Sequence, residues 1–151
     1  MRRIQYLLAL VFLLNLQGCS IDDDCDACFT PPSPFIFDFL DKLTEENIFL
    51  TNTYQFEDLK IIDKSDNSEI MFDKYVLEDI YLVGFNSIGW ESESVEYEFF
   101  LEDQLVLTLS VVAERVSEDC CTFTNYLEIE LENSEYQFNN QEGVYKIYVD
   151  L

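Results

Sequence analysis

No histidine occurs in the 151 residues. Its absence removes Ser–His and Cys–His nucleophilic pairs and every histidine-containing zinc site. Positive charge is nearly as scarce, with eight Lys and Arg against 31 Asp and Glu and a formal net charge of −23. A field of that sign repels phosphate backbones and excludes nucleic acid as a partner. A bilayer-spanning run is missing as well. The apolar stretch Ile4–Leu16 has 13 positions, Gln5 and Asn15 among them, whereas a spanning helix takes about 20. The single tryptophan, Trp90, makes a thin basis for a sugar-stacking platform, and no internal repeat is visible.

What the N-terminus does contain is an address. Met1-Arg2-Arg3 followed by IQYLLALVFLLNL has the charged start and apolar centre of a secretory signal. The next residues, Leu16-Gln17-Gly18-Cys19, resemble the bacterial lipobox, with Gly18 as its small residue and Cys19 as the cysteine that is lipidated after cleavage. Several acyl chains anchor far more firmly than one, since each buried methylene contributes about 0.8 kcal/mol. Asp22, Asp23 and Asp24 resemble the acidic export signal that sends Bacteroidota lipoproteins to the outer face of the outer membrane. The expected organisation is a signal peptide over 1–18, a lipidated acidic tether over 19–33, and one domain over 34–151. All 31 acids lie beyond residue 18, against Lys42, Lys60, Lys64, Lys74, Arg115 and Lys146, so the exported part carries 6 − 31 = −25. That charge opposes docking on an anionic bilayer, and a covalent anchor is the sensible attachment.

Lipidation of Cys19 leaves an even four cysteines, Cys25 and Cys28 in CDAC and the adjacent Cys120 and Cys121. In an exported chain these read as two disulfides. Bonding neighbours to each other requires a vicinal ring through Cys120 and Cys121, so the two cross-pairings of CDAC with CC are preferred, without a choice between them. Closing a loop of over ninety residues stabilises by about 4 kcal/mol in the chain-entropy model. Adjacent cysteines suit a zinc site poorly. A redox CxxC wants a helix N-terminus, whereas Thr30-Pro31-Pro32 follows this one.

From Pro34 onward the dominant period is two. Expected strands are Phe35–Phe39, Leu59–Asp63, Glu69–Asp73, Asp79–Val83, Val95–Leu101, Leu105–Ala113, Tyr126–Glu132 and Val144–Leu151. Helical competition is confined to Asp41–Leu50 and Gln55–Leu59. Apolar-in, acidic-out alternation predicts an all-β fold, an antiparallel immunoglobulin-like β-sandwich of seven to eight strands, with a small β-barrel as the alternative. Parity predicts a three-residue loop, Glu102-Asp103-Gln104, opposing Leu101 to Leu105 and keeping Phe99 on the face of Leu107. Tyr126–Glu132 and Val144–Leu151 are predicted to be neighbours, with Leu127, Ile129 and Leu131 facing the core and Lys146 beside Glu128 or Glu130. The stretch DKSDNSEIMFDK (Asp63–Lys74) echoes a calcium loop but lacks its glycine and closing glutamate, and reads as a hairpin turn.

The lipobox, the acidic tether, CFTPP-x-x-FIFDFLDKLTEENIF, the later CC and the terminal GVYKIYV together resemble small lipoproteins of Bacteroidota, flavobacterial ones in particular. The resemblance implies a sandwich-like lipoprotein outside the cytoplasm and brings no catalytic residues with it. The expected function is a surface-exposed, non-catalytic binding or complex-forming module without a cofactor. It is anchored to the outer membrane by its lipid and contacts a glycan or a surface protein. Trp90, Tyr126 and Tyr148 are the candidate contact residues. A carboxylate-dependent glycan-acting enzyme is the alternative, although 31 acids satisfy any required separation by number alone.

Overall fold

The computed structural model describes residues 28–77, 79–118 and 121–151. The expected signal peptide, Cys19, Cys25 and Cys120 lie outside these residues. The described residues are all-β, with ten strands: β1 (Cys28–Phe29), β2 (Phe35–Asp41), β3 (Leu59–Asp63), β4 (Asp73–Leu77), β5 (Ile80–Phe85), β6 (Glu93–Leu101), β7 (Gln104–Glu118), β8 (Cys121–Glu132), β9 (Glu135–Asn139) and β10 (Val144–Val149). They form two five-stranded sheets, ordered β1-β8-β7-β6-β3 and β4-β5-β2-β10-β9.

The sheets are mixed rather than purely antiparallel, because β1 pairs parallel to β8 and β2 parallel to β10. A parallel pair cannot be closed by a hairpin, and the chain from β3 to β9 supplies the long crossover for β2 and β10. The expected tether also contributes structure, since its Cys28 and Phe29 form β1.

Alternation places one apolar set from each sheet in a common core. Phe35, Phe37, Phe39, Val83, Phe85, Tyr145, Ile147 and Val149 come from one sheet, and Leu59, Ile61, Tyr97, Phe99, Leu101, Leu107, Leu109 and Val111 from the other. Phe37 is fully buried where they meet, 5.2 Å from Phe99 in an edge-on arrangement and 5.6 Å from Tyr145.

Two bulges correct the predicted registers. Leu101 pairs with Gln104 across a two-residue turn, Glu102-Asp103, with Glu102 in the left-handed region at φ 53°. The shorter turn would flip β7, yet Phe99 still faces Leu107, because Val106 is an extra residue between the pairs Phe99↔Leu107 and Phe100↔Leu105. The bulge buries Val106 and leaves Leu105 exposed. In β8, Val112 pairs with Glu128 and Ala113 with Tyr126, so Leu127 is the extra residue and points to solvent at 60% exposure. The inward set is therefore Tyr126, Ile129 and Leu131.

The predicted closing pair does not form. β8 and β10 belong to different sheets, and Lys146 stands opposite Asp38 of β2 and Gln137 of β9 instead of beside Glu128 or Glu130. Within the expected loop, Asn133 takes φ 70° and EYQFN becomes β9, which pairs with β10. The inward set Tyr145, Ile147 and Val149 holds. Glu69–Asp73 is not a strand either. The hairpin is reduced to a bridge between Ile62 and Glu69, after which the chain crosses to the other sheet as β4. The KSDNS turn is tied by its aspartates: Asp63 accepts from the Ser65 N–H and Asp66 from the Ser68 N–H, each at 2.8 Å.

Candidate functional site

Three surfaces carry the candidate residues. The first is the corner where the chain enters sheet one. Cys28 and Cys121 are disulfide-bonded with their Cα atoms 4.6 Å apart, in register between β1 and β8. Of the two cross-pairings this matches the one that leaves Cys25 for Cys120. Beside the bridge, Arg115 donates from Nη1 to Thr124 Oγ1 at 2.6 Å and from Nη2 to the carbonyl of Thr30 at 2.9 Å. Its guanidinium carbon lies 4.8 Å from the centroid of the Phe29 ring. Phe29 in turn stacks on Trp90 at 5.9 Å and 26°.

Trp90 is held by a turn that requires glycine. Gly89 has φ 92°, and a Cβ there would sit 2.6 Å from Thr124 Cγ2. The Gly89 carbonyl accepts from Thr124 Oγ1 and its N–H donates to Glu93 Oε1. The indole Nε1–H donates to the carbonyl of Asn86 at 2.5 Å. Its polar atom is thus used internally, and an apolar ring face remains outside. Trp90 is 48% and Phe29 59% exposed. The sequence singled out Trp90; Phe29 and Arg115 join it through β-pairing that their spacing did not reveal.

Tyr126 is not the surface contact expected of it. Turned inward by the bulge at Leu127, its ring meets Phe35 edge-on at 5.5 Å. Its hydroxyl lies within hydrogen-bonding distance of the Ser33 and Ile88 carbonyls, at 3.1 and 3.3 Å. Burial raises its pKa, followed by the charge of Glu93. It fastens the incoming chain to the sheet.

Tyr148 is half-buried and lines a polar cleft of about 350 Å³ with Gln104, Asn133, Ser134 and Glu135. Lys42 bridges Glu135 at 2.9 Å and Asp150 at 3.4 Å across this cleft. These pairs are solvent-screened and each contributes little.

The third surface is the outer face of sheet two. Pairing puts Tyr75 opposite Leu82, and Ile36 opposite both Gly84 and Val144. Gly84 has a local reason. A Cβ there would be 2.8 Å from Tyr75 Cε2 and 3.2 Å from the Phe35 carbonyl, so its absence lets the tyrosine ring lie across β5. The result is an apolar groove of Ile36, Tyr75, Val76, Ile80 and Leu82, with Lys74 at its rim. Tyr75, Val76 and Ile80 are 43%, 54% and 50% exposed. No sequence signal marked this groove, because Tyr75 and Val76 fall between two expected strands, and Ile36, Ile80 and Leu82 belong to strands that read as ordinary alternation.

Beyond the groove lies Asp38, whose carboxyl pKa is raised chiefly by burial, with the Asn47 hydrogen bond and the Lys146 charge pulling it back. Asn47 donates from Nδ2 to Asp38 Oδ1 and to the Tyr81 carbonyl, each at 2.7 Å, while its Oδ1 accepts from the N–H groups of Phe49 and Leu50 at 3.0 Å. Asn47→Ala removes all four bonds at an 8%-exposed site and is expected to cost about 2–3 kcal/mol in urea unfolding. Asp38→Asn removes the buried charge and should raise stability at neutral pH. That difference should shrink as pH falls through the raised pKa, because the native carboxyl then protonates and the wild type loses the same burden. A loss below 1 kcal/mol for Asn47→Ala would count against this network. Carboxylate-dependent glycan chemistry calls for two converging acids with pKa values driven apart. Among the described residues, Asp38 is the carboxyl whose pKa is raised, and its hydrogen-bond partner is Asn47 rather than a second acid.

No protein-family model, curated protein or solved structure matches this chain.

Proposed function

We propose that the chain is an outer-membrane lipoprotein, anchored through Cys19 and displayed on the cell exterior, whose sandwich-like domain is a non-catalytic module that docks a surface protein. The observation that carries this reading is the groove of Ile36, Tyr75, Val76, Ile80 and Leu82, an apolar strip on the solvent side of an otherwise strongly acidic molecule. Contiguous apolar surface of this kind on a soluble domain marks an interaction site. The groove is shaped for side chains rather than for sugar hydroxyls, since its walls offer almost no hydrogen-bonding groups. The Gly18-Cys19 junction and the following aspartates support the address.

The test places a photo-crosslinking residue at Ile80 in the full chain, with Glu130 on β8 as the control. A defined protein adduct from Ile80 and none from Glu130 is expected, while Cys19→Ala should abolish partitioning into the detergent phase. Adducts from neither position would refute the docking role, and unaltered partitioning of Cys19→Ala would refute the anchor.

A further inference from the structure

We propose that Phe29 and Trp90, flanked by Arg115, are a membrane-contact patch, seating this corner of the domain in the headgroup layer that holds the protein's own lipid. The inference rests on the lipid anchor at Cys19 proposed above. Two independent observations lead to it.

The first is covalent reach. Eight residues lie between Cys19 and Cys28, and even fully extended the nine steps from one to the other cover only about 30 Å. Cys28 is not the start of a loose linker, because its disulfide to Cys121 fixes it to the first residue of β8. The corner next to that bridge is therefore held near the bilayer at high effective concentration, and weak contacts there are amplified.

The second is the chemistry of that corner. Phe29, the residue after the bridge, and Trp90 present a stacked pair of rings, each about half exposed, with a guanidinium against Phe29. Aromatic rings are the side chains that partition to the membrane–water interface. The indole N–H is already bonded to Asn86, so leaving water strands no donor. Arg115 adds a charge at the level of lipid phosphates. The domain's overall negative charge selects among bilayers, making zwitterionic headgroups the favoured surface and anionic ones unfavourable.

Trp90 is the single tryptophan, so its emission reports this corner alone. The full-length lipidated protein is reconstituted into phosphatidylcholine vesicles, and lipid on Cys19 is read by intact mass. Replacing the lipid with one brominated near the headgroup end of its chains should remove at least half of the Trp90 emission. Phe29→Ser should weaken that quenching, and adding anionic lipid at low salt should weaken it too, with recovery as salt is raised. If the mass shows a lipidated, vesicle-bound protein whose emission is indifferent to bromine, the patch is wrong and the anchor stands. A soluble glycan that shifts Trp90 emission while brominated lipid does not would assign the rings to sugar and likewise overturn the proposal. If Cys19 carries no lipid, the anchor fails and the patch with it.

Discussion

Replacing Cys25, Cys28, Cys120 and Cys121 together by serine is expected to lower the unfolding free energy by about 4 kcal/mol, since the open chain regains the freedom of a loop of over ninety residues. The two single-bridge variants should behave differently. Cys28 and Cys121 are bonded across 93 positions, and a bridge from Cys25 to Cys120 would close almost the same loop. Removing either bridge alone then leaves the loop closed, so a much smaller loss is expected from Cys28→Ser with Cys121→Ser. Urea unfolding of the three variants, with peptide mapping under non-reducing conditions, checks the pattern. A full loss from the Cys28/Cys121 pair alone would show that Cys25 and Cys120 are not joined.

The other large effect belongs to Phe37. Its ring meets Phe39, Phe85, Phe99 and Tyr145, with centroids between 5.2 and 6.3 Å away, and none of its surface reaches water. It touches both sheets, so truncation opens a void that neither sheet can close alone. Phe37→Ala is expected to cost about 3–5 kcal/mol. Phe37→Leu should recover a substantial part of that, because it keeps apolar volume while giving up the aromatic contacts. Phe138, on the same inner side of edge strand β9 but 44% exposed, provides the contrast and should lose well under half as much. A Phe37→Ala loss no larger than that of Phe138→Ala would mean that the core is not centred where the two sheets meet.

Most of the longer strands were legible, because period-two alternation is a local property, whereas β1, β4 and β9 were not expected and Glu69–Asp73 is not a strand. Phe35–Phe39, Val95–Leu101 and Val144–Val149 bury the sets their sequence predicts. Partnership was not legible. Val106 and Leu127 each add one residue to a strand, and the extra residue changes which side chains face inward without breaking the visible alternation. β9 escaped notice because Tyr136 and Phe138 sit in a run of polar residues, and both remain 44% exposed at the sheet edge. Lys146 drew attention as a rare base among acids, yet its opposite number is Asp38, from a strand 108 positions earlier. Of the cysteine reading, the bridge between Cys28 and Cys121 is present, one of the cross-pairings that adjacency favoured, while Cys25 and Cys120 lie outside the described residues. Trp90 was visible as a solitary residue. Its companions Phe29 and Arg115 were not, since only the bridge and the parallel β1–β8 pairing bring them to it.

The parallel neighbours β2 and β10 have a consequence for the order of assembly. β10 is an interior strand of its sheet, lying between β2 and β9, and it pairs with a strand more than a hundred positions earlier, Val144 standing opposite Ile36. β2 is completed about a hundred residues earlier but has no β10 to receive its other edge until then. Contacts so distant in sequence form slowly, and until β10 follows, β2 is left with an open edge and its phenylalanines unburied.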